Sequence, residues 1–318
     1  MKVSVAVTVL NEEKTVANLL KALLTQSKKP DEIVIVDAGS RDKTRLIIRH
    51  FQKKDKRIKL LWKKGCSRAE GRNLGVEVAR SEVIAMTDAG CIPQKHWLKR
   101  ITSPFKVNQV GAVAGFYKMT GDSPVQQAFS VFLGTLPDDF DIKFLPSTRS
   151  IAFRKSVWQE VGGFDENLDD TAEDTIFNHK LTKNGVKLAR VKTARVEWGM
   201  PETLEAGIKK MHDYAKGDAK SKLWFHSGKL FASHNIRILL IFARYIFGLW
   251  LITKAITAPL LWSLALIFFV IYLLFAFRKV YLRFRSFEVG LWGIAIQFIS
   301  DIAVMSGFIK GLIHKKGS

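Results

Sequence analysis

The sequence predicts an α/β fold with a Rossmann-like, mixed, mainly parallel sheet, followed by an α-helical membrane region. Three observations lead there. Short β-branched runs alternate with helical patterns from the first residues to Met86. Aspartates close two of those runs, at Asp37 and Asp88. Ala255–Phe277 carries no charged residue, and a helix needs about 20 apolar residues to cross a hydrocarbon core of about 30 Å.

The elements follow in order. Lys2–Leu10 is apolar and β-branched, the pattern of a buried parallel strand. Asn11 can cap the helix after it, where Val16, Leu19, Leu20, Leu23 and Leu24 recur at helical spacing. Pro30-Asp31 breaks the chain before a second strand, Ile33–Val36. Asp42–Phe51 reads as a helix, Ile58–Trp62 as a strand, Arg68–Arg80 as a helix and Val83–Met86 as a buried strand. Strands and helices at this spacing imply crossovers within one parallel sheet, whose ligands bind beyond the carboxyl ends of the strands. Asp37 and Asp88 both lie at such ends. Further on, Val110–Gly115 and Ile151–Phe153 read as strands, Gly162-Gly163-Phe164-Asp165 as a turn, and Asp174–Lys183 as a helix stopped by Asn184-Gly185.

The last third changes character. Besides 255–277, two apolar stretches can span or lie in the interface: 236–253, with Arg237 and Arg244, and 287–309, with Glu288 and Asp301. An acid at mid-membrane is costly, so the latter either packs Asp301 inward or runs along the surface. The domains expected are 1–224, a soluble α/β domain, and 225–318, membrane-associated. Arg278, Lys279, Arg283 and Arg285 place the loop between the last two stretches in the cytoplasm by the positive-inside rule. MKVSVAVTVL lacks the apolar core and cleavage site of a secretory signal. Both observations predict a multi-pass protein of the cell membrane whose N-terminal domain is cytoplasmic.

Composition narrows the partners. A net charge of +21 favours anionic ones: lipid headgroups, nucleotide phosphates or nucleic acid. Nucleic acid is set aside, because the lysines are scattered and the aromatics concentrate in the membrane half. No G-x-G-x-x-G follows the first strand, which argues against a dinucleotide-dependent dehydrogenase. Two cysteines, Cys66 and Cys91, support neither a disulfide framework nor a zinc cluster.

Acids stand where packing would not choose them. Asp88 ends a buried-looking strand, and Glu173-Asp174 opens a helix after a loop. Separated acids behind a βαβ-like start suggest group transfer on a phosphate-bearing substrate. Their plain alternative at the helix is to complement its dipole. Arg68 and Arg72, four apart on one helical face, can reach a diphosphate or form surface ion pairs.

In order, VAVTVLNEEKTV, EIVIVDAGSRDKT, GRNLGVEVARSEVIAMTDAG and AEDTIFNHKL resemble the family 2 glycosyltransferases, over about Lys2–Trp224. The resemblance implies the type A glycosyltransferase fold and a nucleotide-diphosphate sugar donor. It implies that Asn11, Glu12 and Asp37 meet the nucleoside, with Asn11 free to be a helix cap as well; the plain alternative for Asp37 is to form the turn ahead of Gly39. Arg72 matches a position often basic in the family. Asp88 matches the first acid of the Asp-X-Asp motif, which holds a divalent cation, Mg²⁺ or Mn²⁺, against the phosphates; the third position is Gly90 instead of an acid. Asp88 can hold the metal alone with phosphates and water, or basic residues share the neutralisation. Glu173-Asp174 resembles the family's Glu-Asp pair, which makes Asp174 the general base and Glu173 its support. Arg149 is expected to face acceptor or phosphates. Lys216, in His212–Asp218, either closes over the diphosphate or belongs to an interfacial helix. The function expected is inverting transfer to a hydroxyl acceptor, lipid-linked or saccharide, at the cytoplasmic membrane face. The alternative is a non-catalytic nucleotide-sugar-binding membrane scaffold, favoured by Gly90.

Overall fold

A computed structural model describes residues 1–168, 171–225 and 234–313. The chain forms two compact units, one of residues 1–119 with 136–199, the other of 120–135 with 200–318. The residues after 199 thus join the second unit, ahead of the boundary expected at 224. Residues 226–233 and 314–318 of the expected membrane region lie outside the described residues.

The first unit holds β1 (Val3–Val9), α1 (Val16–Leu24), β2 (Glu32–Asp37), α2 (Thr44–Lys54), β3 (Ile58–Trp62), α3 (Arg68–Val78) and β4 (Val83–Met86). After them come β5 (Cys91–Pro93), α4 (Trp97–Thr102) and β6 (Ala112–Thr120), whose last residue enters the second unit. The chain returns through β7 (Ile151–Arg154), α6 (Lys155–Glu160), α7 (Glu173–Lys183) and β8 (Leu188–Gly199). The intervening α5 (Pro124–Leu133) belongs to the second unit.

One mixed eight-stranded sheet runs β3-β2-β1-β4-β7-β6-β8-β5. β3, β2, β1 and β4 are parallel neighbours, while β4–β7, β6–β7 and β5–β8 are antiparallel. The parallel strands are short, apolar and buried because helices cover both faces. Asp37 sits beside Val9 in register, so the ends of β2 and β1 are level. The order reverses between β1 and β4, the switch point where such sheets open a crevice. Beneath it Phe153, Phe164 and Phe177 pack with ring centroids 4.4–6.4 Å apart.

Two local expectations change. Asn11 does not cap α1: Thr15 takes the N-cap position, and Asn11 adopts φ 56°. Its side-chain oxygen accepts instead from the Arg41 N–H, at 2.9 Å. The strand β8 was not anticipated, because its charged, half-buried run LARVKTARVEWG lacks clean alternation.

The second unit is helical: α5, α8 (Leu204–Ser221), α9 (His234–Ala255), α10 (Leu260–Phe284) and α11 (Phe287–Ile313). By length and composition α9, α10 and α11 can each cross a membrane, with mean hydropathy 1.8, 2.7 and 1.6. The second apolar helix starts at Leu260 instead of 255, because Pro259 occupies its N-cap and Ala255 closes α9. Asp301 packs inward at 1% exposure. It accepts from Arg244 at 2.5 Å, Tyr245 at 3.1 Å, Gln297 at 3.1 Å and from the Tyr272 hydroxyl. A buried acid between apolar helices is tolerable only when so satisfied.

Candidate functional site

The site grows from the carboxyl ends of β2, β1 and β4 and from the start of α7. Asp37 is fully buried, and its Oδ1 accepts from the N–H groups of Gly39 and Ser40, both at 2.7 Å. Its Oδ2 is also buried and has no hydrogen-bond partner. Ser40 Oγ accepts from the Asn11 N–H at 2.9 Å, and Thr44 Oγ1 from the Glu12 N–H at 2.7 Å. The loops after β1 and β2 are thereby tied together, which gathers Asn11, Glu12 and Asp37. Burial first, and then the charges of Asp88 and Asp42, push the Glu12 carboxyl up, against a hydrogen bond from Thr15.

Arg72 organises the second cluster. The Ser67–Glu70 capping box starts α3. A Cβ at Gly71 would come within 2.9 Å of Thr8, so the glycine lets α3 lie close on β1. That approach lowers Arg72 into the protein, at 4% exposure. Its Nη2 donates to Asp88 Oδ1 at 3.0 Å and its Nη1 to Glu173 Oε1. One guanidinium therefore joins the end of β4 to the start of α7, residues far apart in the chain. Burial opposes its charge, but the carboxylates of Glu173, Asp88 and Asp174 hold it firmly protonated.

The three acids differ. Burial would raise Asp88, yet Arg72 and Arg149 hold its carboxyl below the usual carboxylate range. Asp174 goes the other way: burial, then the neighbouring Glu173, push it up, and Arg72 and Arg149 offset this only in part. Glu173 is 4% exposed and committed to Arg72, while its Oε2 is buried without a hydrogen-bond partner. Ala172, just ahead of the pair, holds φ 74°, a left-handed conformation that costs an alanine about 1 kcal/mol or more.

Arg149 joins this cluster from the turn just ahead of β7. It lies close enough to Asp88 and Asp174 for its charge to act on both carboxyls. Its guanidinium lies 3.8 Å from the Trp198 ring centroid and 5.5 Å from that of Tyr117. The two aromatic partners were missed from sequence, since only the tertiary pairing of β5 and β8 brings Trp198 here. Arg68, the first residue of α3, is exposed, and its charge lowers the carboxyls of Asp88 and Glu12. Arg68 and Arg72, expected on one face, thus separate into a surface residue and a buried one. Lys216 lies in α8 of the second unit, its backbone against Gly311.

Among the described residues, no group of three or more His, Cys, Asp or Glu side chains could hold a metal ion. A magnesium ion carried by substrate phosphates needs only one or two carboxylates from the protein. Asp88, whose side chain is 30% exposed, fits that limited part. Gly90 is exposed, and a Cβ there would meet nothing within 4 Å.

Two family profiles match the chain: Glycosyl transferase family 2 over residues 4–159 and Glycosyl transferase family group 2 over 138–287. Glycosyltransferase AglE of Haloferax volcanii is 28% identical over 194 residues, 58% of this chain and 63% of its own length. An uncharacterized glycosyltransferase of Bacillus subtilis, EpsJ, is 29% identical over 190 residues, 55% of this chain and 54% of that one. The chain thus spans between half and two thirds of these relatives. Among solved structures, the mannosyltransferase PcManGT from Pyrobaculum calidifontis, in complex with GDP-Man and Mn²⁺, superposes with TM-score 0.61 at 18% identity. That match takes in 93% of this chain and 86% of the other. S. aureus TarS 1-349 in complex with UDP matches at TM-score 0.50 and 22% identity, over 69% and 65%. At these identities the structures establish a shared type A fold, and, with the profiles taking in residues 4–287 between them, the chain belongs to the family 2 glycosyltransferases.

Proposed function

We propose that the protein is an inverting glycosyltransferase that moves a sugar from a nucleotide-diphosphate donor to a hydroxyl acceptor, lipid-linked, at the cytoplasmic face of the cell membrane. The observation that carries this reading is the meeting of Asp88, Glu173 and Asp174 around Arg72, with Asp88 held charged and Asp174 pushed up. A carboxyl raised toward the working pH is a better proton acceptor than an ordinary aspartate.

In this reading Asn11, Glu12 and Asp37 receive the nucleoside, and Arg68 and Arg149 face the diphosphate. Asp88 would hold a divalent cation whose charge neutralises the departing diphosphate. Asp174 takes the acceptor proton as the acceptor oxygen bonds to the anomeric carbon. The bond from that carbon to the diphosphate oxygen breaks, and the electron pair leaves with the nucleoside diphosphate. Glu173 keeps Arg72 charged and α7 in place. The long apolar helices of the second unit support membrane attachment and hence a lipid-linked acceptor.

Gly90 favours a second reading, a binding scaffold without turnover. Purified protein in detergent, offered a panel of nucleotide-diphosphate sugars, decides between them. Transfer or hydrolysis that falls about 10²-fold or more in Asp174→Asn, with donor binding retained, supports the enzyme. Donor binding with no turnover in the native protein supports the scaffold, and unchanged turnover in Asp174→Asn removes that residue as the base.

A further inference from the structure

Arg149, in the turn ahead of β7, is not a loose surface cation. It stands in the turn that leads into β7, close enough to Asp88 for its charge to act on that carboxyl. Its guanidinium carbon lies over the Trp198 ring, 3.8 Å from the centroid, with Tyr117 at 5.5 Å. Its Nη1 also donates to Ser147 Oγ at 2.7 Å. Trp198 is itself fixed: 5% exposed, edge-on to Tyr117 at 5.5 Å, and paired in register with Cys91. Cys91 closes the turn that begins at Asp88, its N–H donating to the Asp88 carbonyl at 3.0 Å. The strand bearing Trp198 is therefore the neighbour of the turn that carries Asp88 and Gly90.

This arrangement answers the missing acid. An acid at the third position of the turn would offer a cation a second protein ligand, and Gly90 offers none. A guanidinium already charged and held in place can neutralise a leaving phosphate directly. Holding it there matters, because a free arginine side chain loses much rotamer freedom on ordering. We propose that Trp198, backed by Tyr117, is the positioning residue that holds Arg149 against the turn at Asp88, so that the Arg149 guanidinium supplies the donor-diphosphate contact that a second acid-held cation ligand would otherwise serve. The inference rests on the nucleotide-sugar reading above.

Affinity for UDP and GDP, and donor KM and kcat, are measured for the full-length protein in detergent alongside Trp198→Phe, Trp198→Leu, Arg149→Lys and Arg149→Ala. Trp198→Leu is expected to weaken nucleoside-diphosphate binding about tenfold and to lower kcat, the size of a desolvated cation–π contact. Trp198→Phe, which keeps a ring face, restores most of that loss. Arg149→Lys falls near Arg149→Ala, because an ammonium lacks the planar face that stacks, and added guanidinium chloride partly rescues Arg149→Ala but not Trp198→Leu. A melting temperature for each variant close to that of the native protein shows that folding is not the cause. Should Trp198→Leu melt early, Trp198→Phe and the guanidinium rescue still decide. Native-like constants in a folded Trp198→Leu, or no rescue of Arg149→Ala, overturn the proposal. A native protein that binds neither nucleotide overturns the nucleotide-sugar reading and this inference with it.

Discussion

Replacing Arg72 by methionine tests the cluster most severely. The guanidinium is 4% exposed, the side chain of Glu173 is 6% exposed and that of Asp88 30%. Removing one partner of a buried ion pair costs about 3–5 kcal/mol, because the other charge is left without compensation. The exposure of Asp88 moves the expectation to the lower half of that range, about 3–4 kcal/mol. For a domain of this size each kcal/mol lowers the melting temperature by about 2–4 °C, so a fall of roughly 6–16 °C is expected near neutral pH. The effect depends on pH. In the native protein Asp88 is held below its ordinary value, so its ion pair stabilises the fold above about pH 3.9 and fades as pH falls through the lower folded value. Without Arg72 the neighbouring carboxyls lose their cation and their folded pKa values rise. The penalty is then largest at neutral pH and shrinks as the solution is taken to about pH 5. Differential scanning fluorimetry in detergent at the two pH values measures both effects. A shift of less than about 2 °C at neutral pH, or a gap that widens on acidification, refutes the bridging role.

Other expectations follow from the same geometry. Asp174 must be ionised to accept a proton and its carboxyl is pushed up, so kcat falls on acidification with a limb lying above the ordinary aspartate value; a limb at or below that value removes the assignment. Gly90→Asp should fold normally, since a Cβ there meets open space, and should tighten Mn²⁺ binding measured by calorimetry with UDP present; a variant that fails to fold contradicts the open geometry. Asp301→Leu leaves Arg244 unpaired between apolar helices and should lower the melting temperature in detergent, whereas Asp301→Leu combined with Arg244→Leu recovers part of the loss. Equal melting of single and double variants would show that the pair is not coupled.

What was legible in the sequence had a local cause. β1, β2 and β4 announced themselves because a strand buried on both faces must be apolar along its length. The long uncharged run declared α10 because a bilayer core admits little else. Asp37, Asp88 and Glu173-Asp174 stood out because acids at strand ends and after a loop have no packing reason to be there. What stayed hidden was relational. Arg68 and Arg72 look equivalent on a helical wheel, and only the close approach of α3 to β1 at Gly71 buries one and leaves the other in solvent. Asn11 has the chemistry of a cap, yet the tie between the loops after β1 and β2 claims its side chain. Whether Asp301 faced lipid or protein turned on Arg244, Tyr245 and Tyr272 arriving from two other helices.

By itself, then, the chain determined its parallel strands, its apolar helices and the identity of its acids, since period, burial and charge are written residue by residue. Tertiary structure alone decided which charges meet: the guanidinium of Arg72 between Asp88 and Glu173, and that of Arg149 on Trp198. Such pairings depend on sheet order and on how helices and loops pack on the strands, and a one-residue slip of β8 alone would turn Trp198 to the opposite face.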